Sequence, residues 1–559
     1  LALPLALLLY RVLSFKFEQR RLTTSLYSVV KTKLGAVRGV KRHTIWGGSY
    51  VSFEKIPFAK PPLGELRFRA PEPVEPWERE LDCTSSGEKP LQTHMFFSKF
   101  AGTEDCLYLN VYAKDLQPQK LRPVMVWIYG GGFQVGEATR DMYSPDFFMS
   151  KDIVLVTISY RLGALGFLSL DDPEVNVPGN AGLKDQLLGL RWVQQNIEAF
   201  GGDPNNVTLF GESAGGASTH LLTLSPRSEG LLHKAITMSG SALCPWAMQS
   251  NNNWALRLAE KMGYTGSPKD KDVYKFLCEA KGGDIVKATA LVLSKQEKHK
   301  RVLFAFGPVV EPYQTEHTVI DRPPHELMQQ AWSNRIPMLV GGTSFEGLLF
   351  YPEVTRRPVT LDEVGDCSNM LPMDLGDNLD PKLREHYALQ LKRAYFGDAP
   401  CSQATMMKFL DLESYREFWH PVYRTALSRL RLGSADTYVY RFDFDSKLCN
   451  AIRIVLCGKE MRGVCHGDDM CYLFHSMLLH QSAPGSPEHQ TIKAMIDIWT
   501  SFAAHSDPNC ESIGHLRFAP LHDEADIQCL NIGERMEMKT LPELEKIQVW
   551  NSFYSRSRL

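Results

Sequence analysis

The 559-residue chain lacks an excess of either charge: 62 Lys and Arg stand against 64 Asp and Glu, a formal net charge of −2. It also lacks a basic stripe with interleaved aromatics. Together these argue against a nucleic-acid partner. No internal repeat or low-complexity tract divides it. The apolar opening, residues 1–10, is interrupted at Arg11 and is too short for a membrane span, which needs roughly 20 apolar residues. It lacks the basic start and small-residue cleavage site of a signal peptide, and no initiator Met precedes it. The twelve cysteines are too few for a disulfide scaffold of this length. Cys457, Cys465 and Cys471 cluster with His466, but their spacing fits no usual zinc pattern. No metal is expected. The one glycosylation sequon, Asn206-Val207-Thr208, runs into an apolar stretch and should be unusable.

What is present reads as a large globular enzyme, 44% hydrophobic and 23% charged. Apolar, β-rich runs at 124–129, 153–160, 207–210, 235–238, 336–340 and 437–442 predict buried strands. Continuous runs, rather than alternation, predict a sheet covered on both faces. Helical patterns at 183–199, 254–262, 325–332, 385–394 and 491–504 lie between them. This alternation is an α/β signature. No polar linker divides residues 26–559, so they are expected to form one domain. Residues 1–25 form an apolar and basic N-terminal segment. The stretches 267–330 and 350–435 are expected as insertions over the carboxyl edge of the sheet, where a cavity gets its walls.

The chemistry centres on Gly211-Glu212-Ser213-Ala214-Gly215, after the apolar run 207–210. A Gly-x-Ser-x-Gly on a strand-to-helix turn lifts the serine hydroxyl out of the sheet as a nucleophile. Tyr129-Gly130-Gly131-Gly132-Phe133 follows another predicted strand. No Walker-type Gly-Lys-Ser/Thr accompanies these glycines. They suit an oxyanion hole, with the N–H groups of Gly131, Gly132 and Ala214 as donors. Glu346 sits just past a buried strand in a Gly-flanked turn, where a carboxylate can orient a histidine. His466, in Gly463-Val464-Cys465-His466-Gly467-Asp468-Asp469, completes the chain order Ser213, Glu346, His466. His420 and His505 compete by position alone and lie outside Gly-flanked loops.

These motifs resemble those of the type-B carboxylesterases, the family of carboxylesterases and cholinesterases. The resemblance runs from about residue 33 to 550. It also rests on Glu104-Asp105-Cys106-Leu107-Tyr108-Leu109-Asn110-Val111-Tyr112, Tyr160-Arg161-Leu162-Gly163, Pro178-Gly179-Asn180-Ala181-Gly182 and the Cys-Tyr-Leu-Phe after His466. Within the family the chain looks most like the insect alpha-esterases. The resemblance implies an α/β-hydrolase fold, a central, mostly parallel, twisted sheet with helices on both faces. It implies the triad Ser213, Glu346 and His466, an acyl pocket walled by Trp246 and Phe304, and structural ion pairs Arg67–Glu104 and Arg161–Asp185. It implies a Cys83–Cys106 disulfide and inhibition by organophosphates and carbamates. Relatives that bind choline use a Trp in the loop before Glu104. Residues 84–105 hold Phe96, Phe97 and Phe100 but no Trp, so a choline ester is not expected.

The expected activity is hydrolysis of uncharged carboxylic esters, lipid-like or xenobiotic, through an acyl-enzyme and without cofactor. Two rivals belong to other classes: stoichiometric sequestration of esters or organophosphates, and a non-catalytic adhesion role. The adhesion relatives have lost a triad residue and carry a transmembrane segment. The location expected is intracellular, cytoplasmic or peripheral to internal membranes, and residues 1–21 read equally as a peripheral membrane contact or as a helix docked on the body. A secreted location is the alternative, and Ser557-Arg558-Leu559 loosely resembles a peroxisomal ending.

Overall fold

The computed structural model describes residues 2–93, 100–250, 252–356, 361, 364–365, 367–375, 379–479 and 482–554. Phe96, Phe97 and the 557–559 ending lie outside these residues.

The main sheet runs from edge to edge through Thr23–Lys31, Ala36–His43, Ser49–Pro57, Tyr108–Ala113, Val154–Ile158, Arg122–Ile128, Gly202–Glu212, Lys234–Met238, Met338–Thr343, Thr437–Phe442, Gln528–Ile532 and Met536–Thr540. Every neighbouring pair from Val154–Ile158 to Gln528–Ile532 is parallel. The flanking pairs are antiparallel. All residues of Val154–Ile158 and Lys234–Met238 are buried, which requires cover on both faces. Helices Ala214–Leu224 and Pro487–His505 both pack on the strand Gly202–Glu212.

Strand order fixes the position of the site. From Arg122–Ile128 the chain steps outward to Val154–Ile158, then crosses back to Gly202–Glu212 on the other side. Connections leave the carboxyl ends of Arg122–Ile128 and Gly202–Glu212 in opposite directions. The crevice between them is a topological switch point, where ligands bind in open α/β sheets. The glycine run follows the first of these strands and Ser213 follows the second.

Both expected ion pairs are present. Arg161 grips Asp185 through Nε (2.8 Å) and Nη2 (2.6 Å). Arg67 grips Glu104 through Nε and Nη2, each at 2.7 Å. Arg67 Nη1 also donates to the carbonyls of Leu277, Cys278 and Ala280, which fastens the 267–330 insertion to the body. The sequon is occupied by internal bonds. Asn206 Nδ2 donates to Ala504 O at 3.3 Å, and Asn206 Oδ1 accepts from Lys234 Nζ. Thr208 is fully buried.

Cys83 and Cys106, the pair that the resemblance would join, are both buried cysteines, unlinked in this structure. They sit in different surroundings. Cys83 Sγ faces the Lys55 carbonyl at 4.0 Å, whereas Cys106 neighbours Asp185 and Arg161. Burial pushes the Cys83 thiol up to about 12.

The N-terminal segment is a helix, Ala2–Leu22. One face is docked. Phe15 is buried against His475, Arg11 Nη1 donates to Leu478 O at 3.0 Å, and Gln19 bonds Asp146 and Arg140. The other face presents Tyr10, Leu13 and Phe17 to solvent.

Candidate active site

Ser213 caps the strand Gly202–Glu212 and opens the helix Ala214–Leu224 with φ 57 and ψ −124. Such a backbone is strained for a residue with a side chain, and strain of this kind collects at functional sites. Neighbouring contacts hold it: Ser213 N donates to Met238 O at 2.8 Å, and Ser213 O accepts from Ala217 N at 2.9 Å. The turn also needs Gly215, where a Cβ would lie 2.0 Å from Ile128 O. The serine therefore sits at the amino end of a helix, whose dipole favours negative charge.

Gly131 (φ 114) and Gly132 (φ 61) bend the chain after Arg122–Ile128. Gly131 O accepts from Gln134 N and Val135 N, which fixes the bend. Among the described residues, the N–H groups of Gly131, Gly132 and Ala214 donate to no protein acceptor. Gly131, Gly132 and Ser213 keep partial solvent access while Ala214 is buried. These donors can serve an oxyanion.

Glu346 is fully buried and opens a short 3-10 helix, Glu346–Phe350, just past the strand Met338–Thr343. Three donors orient it. Thr343 N reaches Oε1 at 2.7 Å, Ser239 Oγ reaches Oε1 at 2.6 Å, and His466 Nδ1 donates to Oε2 at 2.6 Å. That last bond sets the imidazole tautomer with Nε2 available. Among the described residues no Ser213–His466 hydrogen bond is present. Nε2 instead lies 3.1 Å from Glu212 Oε1. In unliganded sites catalytic hydrogen bonds are often long and tighten with substrate.

Glu212 is the residue the motif hid in plain view, as the variable position before the serine. It is buried, and burial pushes its carboxyl up to about 8. Burial would lower His466, but Glu212 and Glu346 outweigh it and raise it to about 9. The two groups face each other at 3.1 Å, so their titrations are coupled. Asp469, pushed up to about 7 chiefly by burial, stands behind this pair and accepts from Tyr440 Oη at 2.9 Å.

The two expected pocket residues have separate neighbours. The tip of the Phe304 ring packs on Gly132: a Cβ there would lie 2.4 Å from Phe304 Cζ. Trp246 is buried and donates Nε1 to Glu417 O at 3.0 Å. Between Trp246 and the imidazole lies Phe418, which the sequence did not point to. Its ring centroid is 6.0 Å from Trp246 and 4.4 Å from His466. Phe418 is carried by a π-helical turn, Tyr415–Trp419, a distortion found mostly at functional sites. The rival His420 is buried elsewhere, with Nε2 3.2 Å from Asn551 Oδ1.

Comparison with known proteins follows the same line. The description "Carboxylesterase family" matches residues 27–550. Esterase B1 of Culex pipiens is 38% identical over 95% of this chain and 98% of its own length. A juvenile hormone esterase of Tribolium castaneum is 34% identical over 98% of this chain and 96% of its own. The crystal structure of juvenile hormone esterase from Manduca sexta, with OTFP covalently attached, superposes with a TM-score of 0.84 at 28% identity. It covers 95% of this chain and 100% of the other.

Proposed function

The chain belongs to the carboxylesterase family and is a carboxylic-ester hydrolase, and from that premise we propose that Ser213 is its nucleophile, His466 its general base and Glu346 the carboxylate that orients His466. The observation that carries this reading is the chain of bonds from Thr343 and Ser239 through Glu346 to His466 Nδ1, beside a serine in a strained turn. His466 takes the Ser213 proton as Oγ attacks the ester carbonyl. The oxyanion is held by the N–H groups of Gly131, Gly132 and Ala214. His466 returns the proton to the leaving alcohol, and water repeats the sequence on the acyl-enzyme. Residues 26–559 act as the catalytic domain and 1–25 as its appendage, in keeping with a family match that starts at 27.

The substrate class proposed is an uncharged ester, lipid-like or xenobiotic. The aromatic side chains of Trp246, Phe304 and Phe418 support it, since they offer apolar surface to an acyl chain. Organophosphates and carbamates are proposed as inhibitors that load Ser213. The test is Ser213→Ala with a chromogenic short-chain ester. We expect a folded protein whose kcat falls about 10⁶-fold, whereas the parent chain releases product well past one equivalent. Undiminished activity in the variant rejects the assignment. A parent burst that stops at one equivalent rejects turnover in favour of sequestration.

The docked N-terminal helix is proposed as a peripheral membrane contact. Tyr10, Leu13 and Phe17, with relative exposures of 68%, 60% and 73%, share one helix face. Arg20 and Arg21 follow at its end. No helix among the described residues is long and apolar enough to cross a membrane. The variant L13S/F17S should lose sedimentation with anionic phospholipid vesicles; equal sedimentation rejects the contact. An intracellular location is likewise proposed, supported by the internal bonding of Asn206, and fractionation of cells expressing the full chain tests it.

A further inference from the structure

Buried charge gathers behind the aromatic wall, away from the reacting groups. Arg301 is buried and takes φ 58 where the helix Lys295–His299 ends, with Val302 N donating to Glu297 O at 3.0 Å and Arg301 N to Lys298 O at 3.1 Å, a left-handed helix end. Its guanidinium reaches two helices. Nη1 donates to Glu353 Oε1 at 2.8 Å, on helix Tyr351–Arg356. Nη2 lies 2.8 Å from Glu413 Oε1, on helix Met406–Ser414. Its Cζ also lies 5.4 Å from the Phe350 ring centroid and 5.7 Å from that of Phe409.

The segments that Arg301 brings together each adjoin an aromatic residue. Three positions on from Arg301 is Phe304, whose ring tip packs on Gly132. Phe350 closes the 3-10 helix that begins at Glu346. The helix bearing Glu413 runs straight into the π-helical turn that presents Phe418 to His466. Phe350 and Phe418 meet with centroids 6.5 Å apart. A buried guanidinium is not needed to fill a core, and burying such charges stabilises little over apolar packing. The arrangement does fix three separate chain segments at one point.

We propose that Arg301 is a positioning residue that sets acyl-chain preference by fixing at one point the segments that carry Phe304, Phe350 and Phe418. The proposal rests on Ser213 as nucleophile and on this aromatic wall as the acyl side. With the clamp gone, the Phe304 segment and the π-helical turn part, and the slot lengthens. Long acyl chains gain relative to acetyl.

The test uses p-nitrophenyl acetate and octanoate with the full-length protein. Removing Arg301 alone would leave Glu413 as an unpaired buried carboxylate, so the main variant is R301M/E413Q, which removes both charges at similar volume. We expect the octanoate-to-acetate ratio of kcat/KM to rise on the order of tenfold, the scale on which an apolar pocket discriminates a methylene. The burst amplitude should stay at one equivalent per chain. Arg301→Lys keeps the charge but not the two-helix fork and should fall between. An unchanged or lower ratio overturns the proposal, including the case in which both esters slow equally. If the double variant fails to fold, Glu353→Gln decides. It removes only the outer, partly exposed partner, and must raise the ratio by a smaller factor; an unchanged ratio again overturns the proposal. Failure of the underlying site reading looks different, because Ser213→Ala would then still give a burst.

Discussion

The two sides of Ser213 are held by different means. On the oxyanion side the holding is done by backbone: Gly131 and Gly132 in left-handed conformations, and the first turn of Ala214–Leu224. On the proposed acyl side it is done by side chains: Phe304 and Phe418 from the two insertions and Trp246 from the segment after Lys234–Met238, with Arg301 behind them. A wall made of backbone cannot adapt without moving a strand end. A wall made of ring tips can. Fidelity to the reaction and freedom over the substrate are thereby separated within one crevice.

The largest break in that contrast should come from Gly131→Ala. Its Cβ would stand 2.1 Å from Val135 O, at φ 114. A backbone oxygen has nowhere to go, so the oxyanion donor must shift. The expected loss is roughly 100- to 1,000-fold in kcat, with no recovery from any pocket substitution. Gly132→Ala sharpens the comparison because its obstacle is a ring tip, Phe304 Cζ at 2.4 Å. The expected loss is smaller, about tenfold. It should be largely recovered in G132A/F304L, as a double-mutant cycle on kcat/KM would record. Equal losses at both glycines, or no recovery, would dissolve the distinction between the two walls.

The smallest expected effect is a displacement in pH. His466 is raised because Glu212 and Glu346 favour its charged form over the opposing effect of burial. Glu212→Gln removes one of those anions and lowers the imidazole. A base works unprotonated, so the acid limb of the kcat/KM profile should move to lower pH, with kcat on its plateau changed little. A limb that stays or moves up would contradict the role assigned to Glu212.

What could be read from sequence follows the same division. The strand Thr437–Phe442 was legible to the residue, because its β-favouring run Thr437–Tyr440 is buried throughout. The edge strands Thr23–Lys31 and Met536–Thr540 were not, since each leaves residues in solvent and carries no such run. The helix expected at 325–332 is divided into Pro324–Leu327 and the 3-10 turns Met328–Gln330 and Trp332–Arg335. Ser213, Gly131 and Gly132 announced themselves, because a sharp backbone path demands glycine at fixed spacing. Glu346 and His466 were legible through flanking glycines and chain order, though Glu346 proves to open a helix rather than sit in a loop. Phe418 and Arg301 carry no such mark. An aromatic or an arginine in a long insertion looks like any other until the fold brings it to the wall.

The central claim is that a single serine at the switch point of the sheet carries the ester chemistry. It is tested most directly by treating the protein with diethyl p-nitrophenyl phosphate until activity is lost, digesting it, and locating the adduct by peptide mass spectrometry. The account predicts one diethylphosphoryl group per chain, on Ser213, rising in step with inactivation. An adduct on another residue, or full inactivation with Ser213 unmodified, would contradict it.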